Sequence, residues 1–340
     1  MTNFRSRPRM HTIRYLLGAC LLWLGATSVV AAEYHNPLVP QRADPWVLRW
    51  DGYYYFIATV PEYDRIELRR STTINGLASA PADVIWSKHA SGPMSRNIWA
   101  PELHRIDGAW YIYFAAGEAG DPFHLRMYVL RNTADNPLDG QWEELGRIAT
   151  PLDTFSLDAT TFFHNGKQYL LWAQSDAGGT YNSALLMAEM KPPTQIRKPV
   201  VMLSKPELDW ETIGFKVNEG PAVLERNGRI FVTYSASATD SHYAMGLLWA
   251  DADADLMDPK TWHKSPKPVF YTNPAVERFG PGHNSFTLAE DGVTDLMVYH
   301  ARDYRDIEGN PLRDPNRATR VRVLHWDKNG MPDFRQGEGD

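Results

Sequence analysis

Among the 340 residues there is a single cysteine, Cys20, and it falls within the N-terminal stretch that reads as a leader. Downstream of it the chain has no thiol, so disulfides, thiolate nucleophiles and cysteine-ligated metals are excluded. Helical periodicity is almost absent. No apolar run beyond the leader approaches the roughly 20 residues needed to cross a bilayer. Positive charge is also scarce: 35 Lys and Arg stand against 41 Asp and Glu, a net charge of −6. That balance argues against nucleic acid as a partner, since binding it calls for a basic footprint. HExxH, GxSxG, P-loop and Asn-x-Ser/Thr patterns are all missing.

Residues 1–32 carry Arg5, Arg7, Arg9 and Arg14 ahead of a short apolar segment at 16–30, and Val30-Ala31-Ala32 supplies small residues before Glu33. This is the pattern of a secretory signal rather than a membrane span, and it implies a secreted or periplasmic protein. Leu17-Gly18-Ala19 before Cys20 also leaves a lipoprotein open. Residues 33–340 are expected to form one domain, acidic and acting as a monomer. Lacking disulfides, it must draw its stability from a large core, to which 12 Trp and 16 Tyr contribute.

What the chain does have is repetition. The Gly of an Asp-Gly or Asn-Gly pair stands at 52, 108, 166, 228 and 292, at intervals of 56, 58, 62 and 64 residues. Each pair is followed by a β-prone run: YYYFIAT, AWYIYFAA, KQYLLWAQ, RIFVTYSA and VTDLMVYHA. Asn-Gly or Asp-Gly between such runs is a strong hairpin signal. A second β run follows each hairpin (66–72, 126–133, 183–190, 245–252 and 321–327), and four repeats add a weaker apolar stretch. Four antiparallel strands per unit of about 60 residues predict an all-β, five-bladed β-propeller. An irregular β-sandwich would not explain the even spacing. Residues 33–41 are a candidate for closing the ring, and 302–320 reads as a polar insertion at the rim.

In such a ring the first strands of all blades line the axis, so residues just before or within them converge. Asp44, Glu102, Asp158, Glu219 and His283 occupy comparable positions, five to eight residues ahead of the hairpin pairs. Carboxyls gathered in one pocket repel each other and lose solvent, which drives at least one pKa upward. A carboxylic acid facing a carboxylate is what glycoside hydrolysis requires. Trp46, Trp99, Phe155 and Phe215 lie beside these positions and are candidate walls of a sugar pocket. Taken singly, each acid is also an ordinary turn residue, and each Trp an ordinary core residue. The coincidence across blades is what favours a site.

The motifs Ala43-Asp44-Pro45-Trp46, Trp99-Ala100-Pro101-Glu102, Ser156-Leu157-Asp158-Ala159, Asn218-Glu219-Gly220-Pro221 and Gly282-His283-Asn284-Ser285 together resemble glycoside hydrolase family 43. The likeness implies a five-bladed propeller acting on arabinose- or xylose-containing oligo- and polysaccharides. It implies Asp44 as general base, Glu219 as general acid, and Asp158 as the residue that raises the pKa of Glu219 and orients it. Glu102 and the aromatics would contact substrate, and Arg302 resembles a pocket arginine. No cofactor is implied for the chemistry, but His283 resembles an axial histidine that in some members helps hold a calcium or other ion in the central channel. Propellers that cleave fructosides with retention carry Asn before the Asp-Pro pair, where this chain has Ala43. The expected activity is an exo-acting, inverting α-L-arabinofuranosidase; a β-xylosidase, an endo-arabinanase and a non-catalytic sugar-binding propeller are the alternatives.

Overall fold

Two-residue turns set the register of the sheets. Asp51-Gly52, Asp107-Gly108, Asn165-Gly166 and Asn227-Gly228 have positive φ at both positions, which is why Asn, Asp and Gly stand there. The fifth turn differs. Only Gly292 is left-handed, and Asp291 instead accepts the amides of Val293 and Thr294 in a longer loop. The structure is a computed structural model describing residues 1, 33–191 and 193–339, so the leader at 1–32, apart from Met1, lies outside the described residues. The chain divides into Met1–Glu33 and Tyr34–Asp340, and the second unit is described here.

Five antiparallel sheets follow one another, and a two-stranded one (His325–Trp326 with Pro332–Asp333) comes after them. The first holds β1 (Ala43–Trp50), β2 (Tyr53–Thr59), β3 (Arg65–Ser71) and β4 (Asp83–Ser87). The second holds β5 (Arg96–Ile106), β6 (Ala109–Gly117), β7 (Arg126–Asn132) and β8 (Glu143–Arg147). The third holds β9 (Ser156–His164), β10 (Lys167–Gln174) and β11 (Ala184–Lys191), whose outer edge pairs with both β12 (Gln195–Ile196) and β13 (Val201–Ser204). The fourth holds β14 (Asn218–Arg226), β15 (Arg229–Ala236), β16 (Ala244–Asp251) and β17 (His263–Lys264). The fifth holds β18 (Phe279–Leu288), β19 (Asp295–Arg302) and β20 (Ala318–Val323). The described helices are 3-10 segments of three or four residues, and none is long and apolar enough to cross a membrane.

Contacts between first strands make this a ring. β1 packs on β5, β5 on β9, β9 on β14, β14 on β18, and β18 returns to β1. The core lies between blades. Tyr55 and Ile57 of the first blade meet Ile98 and Ile112 of the second. Trp172 of the third meets Tyr113 of the second, and Val232 of the fourth meets Leu171 of the third. Each second strand is therefore covered on both faces, so its sequence is a continuous apolar run rather than an alternating one. The fold expected from the repeats, a five-bladed propeller with four antiparallel strands per blade, is the one observed.

The fifth blade lacks a fourth strand of its own, and the N-terminal segment supplies it. The Leu38 amide donates to the Thr319 carbonyl (2.8 Å), and the Thr319 amide donates to the Val39 carbonyl (2.9 Å). Asn36 bonds both the carbonyl and the amide of Val321 (2.7 and 2.9 Å). Residues 33–41 thus close the ring, as their position suggested. The insertion is shorter than its sequence implied: β19 continues through Arg302 and β20 begins at Ala318, leaving 303–317 as loop.

Asn36→Ala deletes both bonds to Val321 and leaves those backbone groups half-buried without partners. We expect a loss of about 2 kcal/mol, read as a lower melting temperature in calorimetry. An unchanged melt would show that the closing strand does not hold the ring.

Candidate active site

The first strand of every blade is broken at the same point. Asp44, Ala100, Asp158, Gly220 and His283 have left-handed φ of 54°, 44°, 56°, 56° and 44°. The pairing register slips at each of these points. Such bulges bend a strand and re-aim side chains. They also explain Pro45, Pro101 and Pro221, since proline is tolerated in a sheet where a ladder bond is already lost. The equivalent positions therefore differ slightly from those read in the sequence: Glu219 stands one residue before its bulge position and Glu102 two after.

Four of the five bulge amides donate to a side chain of the preceding blade. The Asp44 amide reaches His300 Nδ1 (3.1 Å), Ala100 reaches Thr59 Oγ1 (2.7 Å), Gly220 reaches Asp158 Oδ2 (2.9 Å) and His283 reaches Ser235 Oγ (2.8 Å). Glu219 is held from both sides. Asp158 grips Gly220 after it, and Asn218 before it is buried and bonded to Ser204 and Glu211 (2.7 and 3.1 Å). A Cβ on Gly220 would meet the His283 ring at 3.0–3.3 Å, so only glycine lets that imidazole lie against the backbone beside Glu219.

Asp44 and Glu219 are placed in opposite electrostatic conditions. Burial works against the Asp44 carboxylate, but His283 and Arg317 beside it, with the His300 ring close by, hold its pKa well below the usual range. His283 Nδ1 and Arg317 Nη1 each lie 3.4 Å from Asp44 Oδ1, and Thr59 Oγ1 donates to Oδ2 at 2.6 Å. Burial pushes His300 down to about 3 and lowers His283. Both rings are thus neutral at pH 7, and Arg317 is the lasting positive charge facing Asp44. Glu219 is instead pushed up to about 7, chiefly by burial, with Asp44 adding to the rise while Tyr243 and Arg317 oppose it. Burial, Glu219 and Asp44 together raise Asp158 well above its ordinary value. The carboxyls thus titrate as a coupled set.

The structure brings Asp44, Asp158, Glu219 and His283 together at the axis. Glu102 is buried next to them, 3.0 Å from His104 Nε2; desolvation raises its pKa well above normal, and Asp158 adds to the rise. Trp46 packs on His104 (4.7 Å between ring centroids) and donates to the Leu103 carbonyl, between the first two blades. Trp99 meets Tyr63 edge-on (5.4 Å). Phe155 packs against the core between the third and fourth blades, whereas Phe215 is exposed on the loop leading to Glu219. Arg302 does not face Asp44: its guanidinium bonds Asp314, the Thr239 carbonyl and the Pro311 carbonyl. Arg317, from the end of the same insertion, takes that place. As for an ion near His283, among the described residues no group of three or more His, Cys, Asp or Glu side chains could hold a metal.

Three neighbours escaped the sequence reading. Tyr243 donates to Glu219 Oε1 (2.8 Å) and stacks on His300 (5.6 Å, 7° between planes). A Cβ on Gly282 would meet the Tyr243 ring at 2.5 Å, so that glycine makes room for it. Arg317 and His300 complete the set. A signal for one of them was present: Thr59, Ser235 and His300 are polar residues seven or eight positions past the hairpin glycines, inside otherwise apolar runs.

Three carboxyls gathered at the axis of a five-bladed propeller, one held ionised and one poised near neutrality, define a class built for acid–base work. The family model for glycosyl hydrolases family 43 matches residues 34–332, and the chain belongs to that family. It is 55% identical over 305 residues to an extracellular exo-α-(1→5)-L-arabinofuranosidase of Streptomyces avermitilis, covering 89% of this chain and 63% of that protein. It is 57% identical over 311 residues to α-L-arabinofuranosidase 43 of Humicola insolens, covering 91% and 64%. The chain thus spans just under two thirds of the length of these two relatives. The crystal structure of an α-L-arabinofuranosidase from Lactobacillus brevis superposes with a TM-score of 0.86 at 54% identity, covering 88% of this chain and 96% of that one.

Tyr243→Phe keeps the ring but removes the hydrogen bond that favours ionised Glu219, so the Glu219 pKa rises. Since an acid must be protonated to act, the alkaline limb of kcat/KM, expected near pH 7, should move up by about one unit. A limb that stays put or moves down would show that Tyr243 does not act on this carboxyl.

Proposed function

We propose that this chain is an exo-acting, inverting α-L-arabinofuranosidase that removes terminal arabinofuranose from arabinan or arabinoxylan. The observation that carries the reading is the pairing of a carboxylate held ionised, Asp44, with a carboxyl poised near neutrality, Glu219, in a chain more than half identical to arabinofuranosidases. Relatives named extracellular support export, in keeping with the leader at 1–32.

In this mechanism Glu219 gives its proton to the glycosidic oxygen as the bond to the anomeric carbon breaks. Asp44 accepts a proton from the water that attacks the opposite face of the sugar. The cycle leaves Glu219 ionised and Asp44 protonated, and exchange with solvent restores both. Asp158 keeps the peptide after Glu219 in place, and Arg317 stabilises ionised Asp44 until it takes the proton. An inverting route needs the two carboxyls about 6.5–9.5 Å apart, to admit the water.

The test compares p-nitrophenyl α-L-arabinofuranoside with the β-D-xyloside and follows the product anomer by NMR in early turnover. We expect preferential release from the arabinofuranoside with inverted configuration, and a loss of about 10²–10⁴-fold in kcat on arabino-oligosaccharide for Glu219→Gln. Preferential cleavage of the xyloside would overturn the substrate, and retention of configuration would overturn the mechanism. Undiminished hydrolysis by Glu219→Gln would remove Glu219 from the chemistry.

A further inference from the structure

A line of side chains leads outward from the axis over the second blade. Arg317, beside Asp44, reaches the Tyr63 hydroxyl at 3.4 Å. Tyr63 meets Trp99 edge-on (5.4 Å), and Trp99 meets Phe123 (6.2 Å). Phe123 is 55% exposed, and its chain neighbour His124 lines a cavity of about 320 Å³ together with Pro93, Glu118, Tyr128 and Arg147. That volume is at the small end of ligand pockets.

The charges around this cavity are matched within the protein. Arg126 and Arg147 both hold Asp153 Oδ1 (2.7 and 2.9 Å), and His124 Nδ1 pairs with Glu118 Oε1 (2.9 Å). Two arginines thus share one aspartate, and with Glu118 the formal charges of Arg126, Arg147, Asp153 and Glu118 balance, so the cavity has no large excess charge to attract an ionic ligand. Glu118 Oε2, His124 Nε2 and the Tyr128 hydroxyl have no hydrogen-bond partner among the described residues. Free donors and acceptors next to the Tyr128 ring and Pro93 suit a neutral polyhydroxylated ring, with hydroxyls to bond and an apolar face to lay down.

We propose that this cavity is a second sugar-binding site, which holds a neutral pentose unit of the polysaccharide whose end is processed at Asp44 and Glu219. Phe123 and Trp99 form the surface over which the intervening chain passes. The inference rests on the reading above as a polysaccharide-directed enzyme and adds a separate foothold for the polymer, remote from the bond being broken.

The test uses the full chain with Glu118→Ala/His124→Ala, which strips two partly exposed hydrogen-bonding groups, and with Pro93→Trp, which plugs the cavity mouth. Melting curves first confirm that both variants are folded. KM on polymeric arabinan should rise about tenfold in each, a loss of about 1.4 kcal/mol, while kcat/KM on the aryl arabinofuranoside stays at the wild-type value. Unchanged KM on the polymer, or an equal loss on both substrates, would overturn the proposal. If the wild type cleaves neither substrate, the reading as an arabinofuranosidase fails on its own. The cavity is then judged by affinity electrophoresis in arabinan, where retardation must be present in the wild type and lost in both variants.

Discussion

The site depends on one recurring hydrogen bond: the amide of a left-handed bulge residue donating to a side chain of the blade before it. A bulge frees an amide from the sheet ladder, and a freed buried amide must find another partner. Here the partners are Thr59, Asp158, Ser235 and His300, each reaching across a blade boundary. The same bonds that satisfy the backbone fix four of the five first strands relative to the preceding blade, and with them the direction in which Asp44, Glu219 and His283 point. Geometry at the axis is therefore set by contacts between blades, not by any one blade.

Two consequences for chemistry follow from that arrangement. Asp158 serves the backbone and the electrostatics at once, because the oxygen that accepts from Gly220 belongs to a carboxyl that is itself driven toward its protonated form. Asp44 and Glu219 then diverge although both are largely withdrawn from solvent. Burial alone would raise both, and what separates them is that Asp44 has Arg317, the Thr59 hydroxyl and two imidazoles within reach, while Glu219 has mainly the Tyr243 hydroxyl. Two similar acids become unlike through their partners, a recurrent route to acid–base division of labour.

The propeller was legible because its period is carried by turns, and a two-residue turn demands Asn, Asp or Gly wherever it occurs. The apolar runs after those turns were equally plain, since strands covered on both faces cannot alternate. Asp44 and Glu219 were legible because they sit beside Pro or Gly at the bulges, and Asp158 because it stands at the same phase of the repeat. Arg317 was not. It ends a polar insertion with no counterpart in other blades, and Arg302, fifteen residues earlier and next to a β run, looked the better match. Tyr243 immediately precedes a third strand, where nothing in the repeat marks it. Trp46 and Trp99 pack beside the acid-bearing strands: the Trp46 indole donates to the Leu103 carbonyl and lies on His104, and Trp99 meets Tyr63 and Phe123.

The strand that completes the fifth blade comes from the opposite end of the chain, joining Asn36 to Val321 across 285 positions. Such a closure is topologically a clasp. A chain made from its N-terminus can assemble four blades before the clasp has anything to fasten to. The last sheet, which brings His283, His300 and Arg317 to Asp44, thus becomes complete only once nearly the whole polypeptide is present. Closure of the ring and completion of the surroundings of Asp44 therefore rest on the same blade, so a chain cut short within it would lose both.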